Sequence, residues 1–235
     1  MIAGLQKMTL LDYPGKVACT VFLQGCNFRC PFCHNSGLLD GRGEATLTQQ
    51  ELLAFLEKRK GLLDGVCVTG GEPTLTPELP ELLKKIKDMG FAVKLDTNGS
   101  RPSLLRQLVE AGLVDYVAMD IKNCPERYGA TAGVAGMTLD RIEESMRYLL
   151  AETVDYEFRT TVAQELHDPE AMAAIGAWLR RLDDRHTAKR YFLQPYVDRE
   201  SVLAQGLHAP DRETLRKMEQ ALMPFAESVQ IRAMD

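Results

Sequence analysis

The sequence predicts an α/β fold, a partial (β/α)6 TIM-like barrel in a single domain, and three observations predict it. Short apolar runs alternate with helical-period segments six times along 235 residues, the pattern of parallel strands joined by right-handed crossovers. The length suits one domain, since barrels of this class commonly run to about 250 residues. Unusual polar residues also fall where the apolar runs end, and parallel α/β folds place ligands at the carboxyl ends of their strands. Six units are too few to close eight strands, which favours an open barrel. A flat doubly wound sheet shares the periodicity and stays as the alternative.

The elements follow in order. Residues 16–24 form the first strand. A helix over about residues 47–60 opens on a Thr48-x-x-Glu51 capping box and carries Leu52, Leu53 and Leu56 on one face. Residues 65–69 are the second strand, followed by a helix opening at Thr76-Pro77. Residues 92–96 are the third, before a helix carrying Leu104, Leu105, Leu108 and Val109. Residues 116–121 are the fourth, then a turn-rich stretch over 123–136 and a helix with Leu139, Ile142, Met146 and Leu149. Residues 156–162 are the fifth, with Asp168-Pro169 opening the next helix. Residues 191–194 are the sixth, before a helix over about 211–223 and a short closing run at 229–231.

Composition narrows the function. The chain is 45% hydrophobic, enough for a substantial core, with net charge -5. No basic stripe of the kind nucleic acid requires is present. No segment approaches the length of a membrane helix and no signal peptide is seen. Six cysteines in this length do not read as a secreted disulfide framework. The expectation is a cytoplasmic protein without nucleic-acid or membrane partners.

The most informative motif is Gly25-Cys26-Asn27-Phe28-Arg29-Cys30-Pro31-Phe32-Cys33-His34-Asn35, directly after the first strand. Its C-x3-C-x2-C spacing offers three thiolates from one loop. A cubane cluster has four irons and usually four cysteine ligands, so three would leave one iron open to an exogenous ligand. Structural zinc and no metal at all are the alternatives; structural zinc takes four converging ligands, usually as two C-x2-C pairs or one with two histidines. Cys19, Cys67 and Cys124 are scattered singly and read as inert, the first two as small hydrophobes inside strands. The other strand-end segments are Gly70-Gly71-Glu72-Pro73, Asp96-Thr97-Asn98-Gly99, Asp120-Ile121-Lys122 and Gln194-Pro195-Tyr196.

Taken together, Cys26-x3-Cys30-x-Phe32-Cys33 and Gly70-Gly71-Glu72-Pro73 resemble the radical S-adenosylmethionine superfamily, and the likeness covers nearly the whole chain. Cys33-His34-Asn35, Asp96-Thr97-Asn98-Gly99 and Asp120-x-Lys122 resemble its glycyl-radical-enzyme activases. Leu11-Asp12-Tyr13-Pro14-Gly15 resembles the activating protein of anaerobic ribonucleoside-triphosphate reductase. The resemblance implies a [4Fe–4S] cluster on Cys26, Cys30 and Cys33 that binds S-adenosylmethionine at its open iron. One-electron reduction then cleaves the cofactor to methionine and a 5′-deoxyadenosyl radical, which takes hydrogen from a glycine of a partner, here anaerobic ribonucleotide reductase. It further implies a flavodoxin or ferredoxin electron donor and anaerobic operation. One domain spans residues 1–235, with the cluster loop at 25–36 and no ferredoxin-like insert.

The resemblance also assigns residues. Gly70 and Gly71 let the backbone approach the methionine amine, and Glu72 adds negative charge there. Lys122 faces the methionine carboxylate, and Asn35 contacts the cofactor. Asp96 and Asp120, with oxygen from Thr97 and the backbone of Ala118, hold sodium or potassium, since two close carboxylates repel unless a cation lies between them. The alternative for Asp96 is a turn cap with Asn98-Gly99. Arg159, on a buried strand, needs a carboxylate partner: the cofactor side of the site, or a structural ion pair. His34 lines the site or stabilises the loop. Tyr13 and Tyr128 read as structural. Gln194-Pro195-Tyr196 departs from the lyase-activase pattern, which has a histidine near this point. A small-molecule enzyme of the same superfamily, such as a deazapurine synthase, is the rival reading; its members usually place an aspartate after the last cysteine, where this chain has His34-Asn35.

Overall fold

The structure, a computed structural model, describes residues 2–40 and 46–232. Eight strands lie in one sheet in chain order: β1 (Ile2–Thr9), β2 (Ala18–Leu23), β3 (Gly65–Gly70), β4 (Ala92–Thr97), β5 (Tyr116–Asp120), β6 (Asp155–Val162), β7 (Tyr191–Pro195) and β8 (Val229–Ile231). The pairs β2–β3, β3–β4, β6–β7 and β7–β8 are parallel. A doubly wound sheet reverses its strand order at a switch point; this sheet never reverses, so the barrel-type winding is the one present.

The seven helices are α1 (Gln49–Glu57), α2 (Leu79–Asp88), α3 (Pro102–Glu110), α4 (Pro125–Ala132), α5 (Asp140–Leu150), α6 (Pro169–Leu182) and α7 (Arg212–Leu222), counted among the described residues. At α1 the capping box forms as read. Thr48 Oγ1 accepts from the Glu51 amide at 3.2 Å, and the Glu51 carboxylate accepts from the Thr48 amide at 2.8 Å. Removing the hydroxyl in Thr48→Ala is expected to cost about 1 kcal/mol, read as faster amide exchange in the first turn of α1. Asp168 and Asp211 cap α6 and α7 through the amides of Ala171 and Thr214, each at 2.7 Å.

Three expectations need correction. Strand β1, antiparallel to β2, was not foreseen; its residues Gln6, Lys7 and Met8 are all exposed, so it lacks the alternation that marks a half-buried strand. Helix α4 lies inside the stretch read as turns. Pro125 opens it and Gly133, at φ 67°, ends it, so the two breakers were its start and stop signals. Helix α2 begins at Leu79, not at Thr76-Pro77. The Glu72 carboxylate caps the Thr74 amide and winds Pro73–Leu75 into a 3-10 turn, which uses up the segment ahead of the helix.

Two compact units interleave along the sequence: Met1–Asn27, Gly37–Thr97 and Arg101–Ala118, and Phe28–Ser36, Asn98–Ser100 and Met119–Asp235. In the first, Val21, Val66, Val68, Val93 and Leu95 on the strands and Leu52, Leu56, Leu83 and Ile86 on α1 and α2 are fully buried. These near-continuous apolar strands are what burial on both faces requires. In the second, Trp178 packs edge-on against Tyr128 and Tyr156 against Phe158. Among the described residues no helix is long and apolar enough to cross a membrane.

The Leu11–Gly15 motif has a packing explanation. Thr9 Oγ1 accepts from the amides of Leu11 and Asp12, and Asp12 accepts from Thr20 Oγ1 at 2.5 Å. This folds Tyr13 under the amino ends of the strands, where its ring lies 5.9 Å from Tyr116 in a cluster with Ala18. A Cβ on Gly65 would sit 3.0 Å from the Tyr13 ring. The motif closes the end of the first unit opposite the carboxyl ends of its strands.

Candidate functional site

In the first unit the site begins where β2 ends. The amides of Gly25 and Cys26 donate to Leu38 and Leu39 O at 2.7 and 3.1 Å, fixing the loop as it reaches the first cysteine. The Gly70-Gly71 corner packs on this backbone. The amides of Gly71 and Glu72 donate to Leu23 and Gly25 O at 2.9 and 2.7 Å. A Cβ on Gly70, whose φ is +126°, would lie 2.2 Å from Leu23 O, and one on Gly71 would lie 2.1 Å from Gly25 O. Both glycines are therefore required by the close approach of the chain to itself.

Glu72 is almost fully buried. Its Oε1 accepts from the Thr74 amide at 3.1 Å, Thr74 Oγ1 at 2.5 Å and Thr97 Oγ1 at 2.8 Å. Thr97 thus orients the Glu72 carboxylate. Asp96 is paired with the ammonium of Lys94 two residues before it, and the Cys67 thiol lies 3.7 Å from Asp96 Oδ1. In the turn after β4, Asn98 Oδ1 accepts from the Ser100 amide at 3.0 Å.

The second unit holds the rest of the cysteine loop. Phe28, Cys30 and Phe32 are buried, and the Cys33 amide donates to Cys30 O at 3.1 Å. The Arg29 amide donates to Ala132 O at 2.8 Å, and α4 is thereby the loop's support. His34 answers the question the sequence left: its Nε2 hydrogen-bonds Val197 O at 2.7 Å, its carbonyl accepts from Ser201 Oγ at 2.7 Å, and its ring lies 5.9 Å from Tyr196. It stabilises the loop. Burial holds its pKa below the ordinary imidazole value, so it is neutral at pH 7.

Asp120, Lys122 and Arg159 come together as one charged group. Arg159 Nε donates to Asp120 Oδ1 at 2.9 Å and Lys122 Nζ to Oδ2 at 3.1 Å. Burial alone would raise the Asp120 carboxyl, but Arg159 and Lys122 outweigh it and hold the group well below the usual carboxylate range. Burial opposes the Lys122 charge, and Asp120 with Cys30 outweighs it, so this ammonium stays protonated. Because the folded carboxyl titrates below its reference value of 3.8, its contribution to stability is complete above that pH and is lost as the pH falls beneath it. Acid titration of the fold should show unfolding beginning below about pH 4.

Sequence reasoning missed His167 and Asn123. His167 is buried, with Nε2 on Lys122 O at 2.8 Å and Nδ1 against Ala163. Asn123 Nδ2 donates to Thr131 Oγ1 and Leu166 O at 2.9 and 3.0 Å. Both hold the Lys122 segment in place. Their only sequence signal is proximity to the Asp120-x-Lys122 and Asp168 motifs.

The donor set fits an iron–sulfur cluster. Cys26, Cys30 and Cys33 lie on one loop and form no disulfide. Burial, with the Asp120 charge, pushes the Cys33 thiol up, and the Asn35 amide and the Lys122 and Arg29 charges only partly offset this. Among the described residues no group of three or more His, Cys, Asp or Glu side chains is placed to hold one metal ion. Cubane ligands each serve a separate iron. Cys19 and Cys67 are fully buried, and burial raises the Cys19 thiol to about 12, as befits inert strand residues. Cys124 is a buried cap residue of α4.

Comparison with known proteins follows the same lines. A family model described as the Radical SAM superfamily matches residues 20–170. A candidate glycyl-radical enzyme activating enzyme of Methanocaldococcus jannaschii is 27% identical over 243 residues, covering 100% of this chain and 97% of its own. The pyruvate formate-lyase 1-activating enzyme of Escherichia coli K12 is 25% identical over 246 residues, 97% of each chain. Among solved structures, a radical SAM methyltransferase from Sphaerobacter thermophilus matches with TM-score 0.70 at 18% identity, over 96% of this chain and 68% of that one.

Proposed function

Because the chain belongs to the Radical SAM superfamily, we propose that it is a glycyl-radical-enzyme activating enzyme, abstracting a glycine hydrogen from a partner protein. The observation that carries this reading is its end-to-end similarity to two proteins named for that activity. Cys26, Cys30 and Cys33 would hold a [4Fe–4S] cluster, which would supply one-electron reduction for cleavage of S-adenosylmethionine.

The chain's own residues bind and orient. Glu72, fixed by Thr74 and Thr97, offers negative charge to the methionine ammonium. Lys122 and Arg159, braced by Asp120, offer positive charge to its carboxylate. Asn35 supplies a further cofactor contact beside Cys33. The Gly70-Gly71 corner holds Cys26 by its grip on Gly25. Sodium or potassium at Asp96, Thr97 and Asp120 would compete with protein cations already on both carboxylates.

Anaerobic ribonucleotide reductase is the partner we propose, on the resemblance of the Leu11–Gly15 motif, with flavodoxin or ferredoxin as donor. Within the motif Tyr13 is buried under the strands, whereas Leu11 is exposed. To test the function, anaerobically reconstituted protein, S-adenosylmethionine and a reductant are mixed with anaerobic ribonucleotide reductase or pyruvate formate-lyase from the same source. A stable glycyl doublet by EPR on either partner is expected. Deoxyadenosine without a radical on any protein would overturn the activase reading in favour of a small-molecule substrate.

A further inference from the structure

Lys94 stands out because a lysine inside a central strand is almost never fully buried without a reason. It is 1% exposed, and its ammonium pairs with Asp96, which is 14% exposed. The two residues lie two apart on β4 and therefore on the same face of the strand. Cys67, register-paired with Lys94 across β3 and β4, stands 3.9 Å from the ammonium, and the Tyr116 ring centroid is 6.0 Å from it. This environment offers the ammonium one full negative charge, Asp96, together with a thiol and a ring face.

The same pairing changes what Asp96 can do. An alkali ion bound there would compete for the carboxylate and sit beside a like charge in a place that water screens poorly. The activase resemblance puts a sodium or potassium ion at this carboxylate, and the residues present disagree.

We propose that the Lys94 ammonium is a built-in replacement for that monovalent cation: it fixes Asp96, and the S-adenosylmethionine site of this chain works without sodium or potassium. Lys94 is thus a positioning residue acting through Asp96. The proposal rests on the cofactor reading above only for where Asp96 is aimed; the occupancy of Asp96 by Lys94 is independent of it.

The test uses cluster-loaded protein exchanged into choline chloride or potassium chloride at equal ionic strength. Two quantities are measured: S-adenosylmethionine affinity, and retention of radioactive sodium in equilibrium dialysis. The wild type is expected to bind the cofactor within about twofold in the two salts and to retain no stoichiometric sodium. Lys94→Met opens the cation position. It should lose about tenfold in affinity in choline, regain it in potassium and retain close to one sodium per chain. Lys94→Met/Asp96→Asn removes both charges, so it keeps the fold testable if the single variant fails to fold, and it should respond to neither salt. A wild type that retains one sodium, or loses tenfold or more in choline, overturns the proposal. Failure of the wild type to bind the cofactor in either salt counts against the cofactor reading, while the sodium measurement on the same proteins still decides the role of Lys94.

Discussion

Gly71→Ala is expected to give a protein that cannot hold its cluster. The added methyl would lie 2.1 Å from Gly25 O, 2.6 Å from Gly25 C and 3.3 Å from Cys26 Cβ. Backbone at that distance has to move, and the backbone in question leads directly into the first cysteine. The Glu72 amide bond to Gly25 O would be strained by the same displacement. Forcing a side chain into so tight a contact costs about 1–3 kcal/mol or more, paid at the residues that set the cluster loop. Gly70→Ala should be worse, because φ +126° adds a backbone penalty of about 1–3 kcal/mol to its clash with Leu23. Iron and sulfide content after anaerobic reconstitution reads the effect: a small fraction of the wild-type load is expected for Gly71→Ala. A full load with normal cofactor affinity would show that the corner yields more easily than its packing implies.

Arg159→Met should be the most damaging single change in the charged group. Arg159 joins the Asp120 carboxylate to the buried wall of β6, and its guanidinium also lies 4.0 Å from Glu157, which is fully buried and paired with Arg232. Truncation leaves Asp120 paired with Lys122 and removes a positive charge from the side that Glu157 faces. Breaking a buried pair from one end typically costs about 3–5 kcal/mol; partial exposure of Asp120 puts this case at the lower end. Urea unfolding should show the loss. The Asp120 carboxyl would also titrate nearer its ordinary value, so the acid limb of the stability curve would flatten. Lys122→Met, by contrast, should weaken S-adenosylmethionine binding more than it weakens the fold. Equal stability losses in the two variants would contradict this division of roles.

Much of the site was legible because its chemistry needs rare residues at fixed places. Three cysteines on one loop, Gly-Gly-Glu after a strand, and carboxylates at strand ends are each improbable as filler, and the capping box at Thr48 was readable for the same reason. What escaped depends on tertiary contact. Strand β1 carries no alternation because three of its residues face water. Helix α4 is short and bounded by Pro and Gly, which read as turns until they are seen as its ends. Lys94 and Asp96 sit two apart on one strand, a spacing visible in the sequence, yet only burial shows that the lysine has nowhere else to place its charge. His167 acts on backbone groups and Asn123 on a backbone carbonyl and the Thr131 hydroxyl, contacts that leave no pattern in the sequence. The glycine corner was read as backbone able to approach a cofactor amine; that neither position admits a Cβ against the chain's own backbone is visible only in the fold.

The most direct test of the account follows the abstracted hydrogen. The partner enzyme is produced with α-deuterated glycine and incubated anaerobically with the cluster-loaded protein, S-adenosylmethionine and a reductant, and the 5′-deoxyadenosine formed is weighed by mass spectrometry. The account predicts deuterium in the deoxyadenosine, in proportion to the glycyl radical that appears on the partner. Deoxyadenosine formed at full yield with no deuterium would contradict it, because the radical would then be taking its hydrogen from something other than a protein glycine.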